Sequence, residues 1–261
     1  MLTFVKLGGS LITDKLVENS YRAPVAERIA QEIRSACEEH SLPLLIGHGS
    51  GSFGHVAAKR YGTISGVKTS EEWRGFAEVG FVASELNFLV GHTLVNAGLP
   101  VFRVQPSASA LAADGEIVSM EISPLRVALD NALIPLVYGD IAVDSVRGGT
   151  IISTEKIFFY LARHLPVRRI FLLGEVDGVY DQNRQVIETI TPQNFRDIEA
   201  ALSGSGGIDV TGGMETKVRD MLALTELVPG LSIRIFNGIT TGLLHDALTE
   251  RAFPGTLITA S

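Results

Sequence analysis

The chain has 261 residues, 46% of them hydrophobic and 20% charged, with a net charge of -7 at pH 7. This composition is too apolar for a disordered chain and too evenly interrupted by charge for a membrane span, and its acidic balance argues against nonspecific nucleic-acid binding, which needs a basic face. The length allows one large α/β domain or two closely joined lobes, while a single cysteine, Cys37, excludes an intramolecular disulfide and a multi-cysteine zinc site.

Short apolar runs alternate with longer helical patterns, which predicts a mainly parallel central sheet covered by helices on both faces, a three-layer αβα sandwich. The N-terminal MLTFVKLGG lacks the long apolar stretch of a secretory signal, so the cytoplasm is the expected compartment. Residues 2–7 read as the first buried strand and 24–39 as the following helix, with Pro24 near its first turn and Cys37 as a packed helical thiol. Residues 42–47 form the second predicted strand. Over 69–97 the pattern is helical, with Ser70, Glu71 and Glu72 as its acidic start and Gly98 as its stop. A strand follows at 100–104, then a hairpin signal at Asp114-Gly115 and a buried strand at 134–138 that ends on Gly139-Asp140.

After Gly148-Gly149 come a helix over 153–164 and a strand over 169–173, which opens a second half. That half holds an acidic turn at 175–181, a polar loop at 203–207, a helix starting near Gly213, a strand at 233–236, an Asn237-Gly238 turn, a short helix and a last strand near 256–259. The chain has no internal repeat and no long linker. One domain over 1–261 is therefore expected, made of halves 1–165 and 166–261 that share one continuous sheet and a ligand cleft at its carboxyl edge.

Residues 42–55, LPLLIGHGSGSFGH, carry the strongest chemical signal. The apolar run breaks into a turn with Gly47, Gly49, Gly51 and Gly54 and closes on His55, a pattern that presents consecutive backbone N–H groups as an anion cradle. A second glycine turn follows the first strand at Lys6, Gly8, Gly9 and Ser10, with Lys15 beyond it. Taken alone, this segment is equally an ordinary strand-to-loop turn with exposed lysines, and it is not a Walker P-loop. Two cradles with histidines and lysines point to a site for more than one phosphate, as phosphoryl transfer requires.

His48 either satisfies backbone groups or faces a ligand. His55, just before the helical pattern of 56–59, is expected to join helix N-terminal amides around one anion. A third element, Asp209 to Met214 followed by Lys217, sets a Gly-Gly pair at a helix start with an ammonium one turn later. The fourth, Glu175 to Asp181, is either a nucleotide-facing loop or a plain turn at Asp177-Gly178.

In order, KLGGS, HGSGSFGH, YGDIAVD, VDGVYD, DVTGGM with Lys217, and Gly255-Thr256 resemble the amino-acid kinase superfamily across essentially the whole chain. Within it, Lys15 and His55 make the chain similar to the isopentenyl phosphate kinases, which move the γ-phosphate of ATP onto isopentenyl phosphate. The resemblance implies an acceptor-binding half at 1–165 and a nucleotide-binding half at 166–261. It places Lys6, Gly8, Gly9, Ser10, Ser50, Asp177, Gly213 and Lys217 around ATP, and Gly49, Gly54, His55 and Thr154 at the acceptor phosphate. The catalytic group it implies is Lys6, Lys15, His55 and Lys217. ATP with Mg²⁺, and a homodimer to which the 69–97 helix contributes, are implied as well.

The sequence departs from the family at Ser50, where HGGGSFGH is usual, and at Thr154-Glu155, where Gly-Asp is usual. Glu155 is the expected organiser of the catalytic lysines, and the Thr154 Cβ is expected near the acceptor phosphate. Phe76, Val79 and Ala83, one face of the 69–97 helix, are either core or the pocket for a five-carbon tail. Fosfomycin kinases, or kinases of another small phosphonate or phosphate, are the nearest enzymatic alternative. A non-catalytic nucleotide-sensing module is the alternative of another class, and retention of Lys6, Lys15, His55 and Lys217 argues against it.

Overall fold

The first strand is buried at every position, Leu2 through Leu7, as a continuous apolar run in the middle of a parallel sheet must be. The structure, a computed structural model, describes residues 1–14, 16–202 and 213–261. In chain order its first half comprises β1 (Leu2–Leu7), α1 (Gly9–Ile12), α2 (Ala23–Glu39), β2 (Leu44–His48), α3 (Gly51–Tyr61), α4 (Ser70–Asn96), β3 (Val101–Arg103), α5 (Pro106–Ser109), β4 (Ala110–Ala113), β5 (Glu116–Met120), α6 (Ser123–Asp130), β6 (Ile134–Tyr138), β7 (Asp140–Asp144), β8 (Gly148–Ile152) and α7 (Thr154–Ala162). The second comprises β9 (Val167–Gly174), β10 (Thr189–Ile190), α8 (Phe195–Leu202), α9 (Gly213–Leu227), β11 (Ser232–Asn237), α10 (Leu243–Leu248) and β12 (Thr256–Ile258).

Eight strands form the main sheet in the order β10-β12-β11-β9-β1-β2-β6-β3, and every pairing is parallel except β11 with β12. Because successive side chains alternate between faces, Leu2 and Phe4 enter one core and Val5 and Leu7 the other. Residues of α6, α7 and α9 pack on the first face, and residues of α2, α4 and α10 on the second. This is the expected three-layer αβα arrangement. Helix α4 starts on a capping box, with the Thr69 hydroxyl accepting from the Glu72 N–H and the Glu72 carboxylate accepting from the Thr69 N–H. Gly98 ends it at φ +84°. Among the described residues, no helix is long and apolar enough to cross a membrane.

The main sheet joins strands of both halves, as expected, but the sequence did not foresee that residues 110–152 contribute β4, β5, β7 and β8 to a second, four-stranded sheet in the order β5-β4-β7-β8. Asp114 and Gly115, at φ +50° and +82°, make the β4–β5 turn that the sequence signalled. The β7–β8 hairpin had no such signal. Its organiser is Asp144, whose carboxylate accepts from the N–H groups of Asp114, Gly115, Val146 and Arg147 and so ties both hairpin turns together. Desolvation pushes the Asp144 pKa up, but these four bonds outweigh it and leave the group below its ordinary value.

Candidate active site

Strand parity sets the charged centre. Phe4 packs on Phe158 of α7 with ring centroids 5.0 Å apart, and Lys6, two residues on, leaves β1 on the same face. Glu155 lies nearly one turn before Phe158 on α7, so its carboxylate meets the Lys6 ammonium in an ion pair. Lys217, in the second turn of α9, brings its Nζ to 3.8 Å from the same Glu155 oxygen. One carboxylate thus stands between ammonium groups from the two halves of the chain. Burial alone would raise the Glu155 pKa, but the charges of Lys6 and Lys217 and the Lys6 hydrogen bond prevail and lower it from 4.5 to about 2.

The two glycine turns lie against each other beside this cluster. A Cβ on Gly9 would come 2.6 Å from the Gly51 nitrogen, so only glycine permits this approach of the two backbones. Gly51 itself sits at φ +50°, and a Cβ there would lie 2.1 Å from the Thr13 hydroxyl. That hydroxyl staples the turns together, donating to the Gly9 carbonyl at 2.8 Å and accepting from the Ser52 N–H at 2.9 Å. Nothing in the sequence marked Thr13 as part of the site.

Several sequence expectations about the turns change in detail. The Gly8 N–H bonds the Leu173 carbonyl, and the Gly49 N–H bonds the Leu7 carbonyl, so neither is open to an anion. Gly47 belongs to β2, and the Gly54 N–H bonds the Ser50 carbonyl inside α3. The amides left without an intrahelical acceptor are those that open the helices, Gly9 and Ser10 for α1 and Ser50 and Gly51 for α3. Helix α3 starts at Gly51, so the His55 backbone sits one turn inside it, not at the helix entrance. Lys15 and the Asp209 to Gly212 stretch lie outside the described residues.

Thr154 also differs from expectation. The residue is 1% exposed, and its hydroxyl donates to the His48 carbonyl at 2.6 Å, which turns it into the core. Phe76, Val79 and Ala83 are buried, with Phe76 edge-on to Trp73 at 5.2 Å. Asp177 is exposed at the end of β9, where its carboxylate accepts from the Asn237 amide at 2.8 Å and the Tyr180 hydroxyl at 3.2 Å. Gly213 opens α9 at φ +58°. His48 is fully buried and stacked on Tyr138, and desolvation lowers its pKa to about 4, which makes it neutral at physiological pH.

Two abutting N–H-rich turns beside a lysine, with a second lysine delivered by a helix on the same face of a parallel sheet, define a phosphotransferase site built without a Walker loop. The chain belongs to the amino acid kinase family, whose family model matches residues 1–237. It is 37% identical over 255 residues, 95% of each chain, to the isopentenyl phosphate kinase of Methanocaldococcus jannaschii. It is 35% identical over 271 residues, 99% of each chain, to that of Methanothermobacter thermautotrophicus. A solved isopentenyl phosphate kinase structure superposes with a TM-score of 0.84 at 32% identity, covering 99% of this chain and 100% of that one. Within the family, the chain groups with the isopentenyl phosphate kinases.

Proposed function

We propose that the chain phosphorylates isopentenyl phosphate to isopentenyl diphosphate with ATP as donor. The observation that carries this reading is the Lys6–Glu155–Lys217 cluster beside two abutting glycine turns, in a chain 35–37% identical to isopentenyl phosphate kinases over nearly its whole length. An oxygen of the acceptor phosphate attacks the γ-phosphorus in line, the new P–O bond forms as the β,γ-bridging bond breaks, and ADP leaves. The acceptor is a phosphate monoester, already ionised near neutral pH, so no strong general base is needed. The barrier lies in bringing two anions together, which makes fixed cations and amides the main catalysts.

In this reading Lys6 and Lys217 neutralise the transferring group, with Glu155 holding their ammonium groups in position. Amides of Gly9, Ser10 and Ser50 take the nucleotide phosphates, and Asp177 and Gly213 complete the nucleotide side. Lys15 contributes charge to the transition state, and His55 binds the acceptor phosphate. Magnesium would enter with the nucleotide and would neutralise charge on its phosphates, beside Lys6 and Lys217. The buried Phe76, Val79 and Ala83 face of α4 shapes the wall behind the acceptor's five-carbon tail. The enzyme acts in the cytoplasm as a homodimer, and the exposed Phe81, Phe88 and Val95, spaced seven residues apart along α4, support the dimer.

The test is ADP formation with MgATP and a panel of acceptors. Isopentenyl phosphate should give the highest kcat/KM, dimethylallyl phosphate less, and fosfomycin little. Preference for fosfomycin would contradict the assignment and favour the phosphonate alternative.

A further inference from the structure

A chain of polar groups runs from the edge of the main sheet to the second glycine turn, and each link dictates the next. Arg103 on β3 can only donate, and its Nε reaches the Asn87 Oδ1 at 2.8 Å. That bond orients the Asn87 amide, so its NH₂ faces the His48 Nε2 at 3.1 Å and this ring nitrogen must be the acceptor. The ring proton then resides on Nδ1, which lies 3.0 Å from the Gly49 carbonyl, a group that can only accept. Read from either end, the chain yields the same tautomer. Asn87 is 1% exposed and His48 fully buried, so the amide and the imidazole are shielded from water, while Arg103 anchors them from the exposed edge.

The consequence for the turn follows from peptide planarity. In a trans peptide the C=O and the next N–H point in opposite directions. The His48–Gly49 peptide is fixed on both sides, its carbonyl accepting from the Thr154 hydroxyl at 2.6 Å and the Gly139 N–H at 3.1 Å, and its N–H bonding Leu7. In the Gly49–Ser50 peptide, the imidazole draws the carbonyl inward and thereby turns the Ser50 N–H outward. We propose that His48, set in its Nδ1–H form by Asn87 and Arg103, is a positioning residue that aims the Ser50 N–H at a nucleotide phosphate. Asn87 and Arg103 act through His48, not through any contact with substrate. This proposal rests on the reading of the turn as a phosphate-binding element.

Nitrogen-resolved NMR of the histidines in the full chain tests the first link. The expected result is a bare Nε2 and a protonated Nδ1 for His48, and the opposite tautomer overturns the proposal. Asn87→Asp replaces an amide donor with a carboxylate that can only accept, so it should protonate Nε2; an Nε2 that stays bare in this variant overturns the role of Asn87. For the second link, His48→Leu should raise the KM for MgATP about tenfold, the loss of one charge-assisted hydrogen bond. His48→Asn, whose amide NH₂ stands near the place of Nδ1, should recover most of that loss. A merely structural residue would lower the melting temperature of both variants and leave the KM of the folded enzyme unchanged. Turnover by the unaltered chain tests the underlying reading separately: with turnover present, an unshifted KM in His48→Leu overturns the positioning role alone. If His48→Leu fails to fold, the Asn87→Asp and His48→Asn results decide.

Discussion

Lys6 and Glu155 are 149 residues apart in sequence, and strand alternation and helix periodicity bring them together: Lys6 follows Phe4 by two on a strand, and Glu155 precedes Phe158 by three on a helix. The pair sits at 10% and 17% side-chain exposure, where a lost partner leaves a poorly solvated charge. Because the folded pKa of Glu155 is depressed, its contribution to stability is complete above its ordinary 4.5 and is lost as the pH falls from there toward about 2. Glu155→Gln should therefore flatten the acid limb of a stability–pH curve measured by urea unfolding. The same change leaves Lys6 and Lys217 without the anion between them, and kcat should fall about a hundredfold as the ammonium groups move off line. A full-strength acid limb in the variant would show that the carboxylate's charge is not what the lysines hold.

Some of these residues were legible in the sequence for a local reason. Lys6 with its glycines, and the turn from Gly47 to Gly54, are short motifs whose chemistry shows in adjacent letters. Thr13, Asn87 and Arg103 were not legible, because each works through a partner 39, 39 or 16 residues away. An asparagine on the apolar face of α4 was the available signal, since a buried amide must find partners. Thr154 misled for a related reason: the sequence reports a side chain larger than glycine, but not that its hydroxyl has a backbone carbonyl to reach inside the core.

At the scale of elements, the central strands and the long helices were readable from their apolar runs and periodicity. The β7–β8 hairpin was not, because the positions that β7 buries are Asp140, Ala142 and Asp144, two of them acidic, and the turn is organised by the Asp144 carboxylate. Helix α3 starts earlier than its sequence suggests. Gly51 and Ser52 are poor helix formers that read as loop, yet the chain enters α3 there, with Gly51 at φ +50° and the Ser52 N–H held by the Thr13 hydroxyl. Gly51→Ala sets the packing of the two turns against backbone strain. With a φ of +50° and a Cβ 2.1 Å from the Thr13 hydroxyl, it should cost about 3 kcal/mol in chemical denaturation. Gly213→Ala is the control, since it shares a positive φ, +58°, but a Cβ there meets no atom of the described residues within 4 Å, and about 1 kcal/mol is expected. Equal losses at the two positions would mean that the packing of the two turns adds nothing beyond dihedral strain.

The whole molecule carries a net charge of -7, yet it gathers the ammonium groups of Lys6 and Lys217 at one end of its parallel strands. A globally acidic surface suits a small-molecule enzyme, because local cations prevail over distance-screened charge within a cleft. Alternating strands and helices made the three layers legible, while the second sheet and the abutment of the turns emerged only from long-range packing. The central claim is that these turns hold two phosphates for direct transfer. Phosphorus NMR of the enzyme with MgATP and isopentenyl phosphate tests it most directly. Isopentenyl diphosphate and ADP should appear one for one, with no free phosphate. Release of inorganic phosphate without diphosphate, or unchanged spectra at high enzyme concentration, would contradict it.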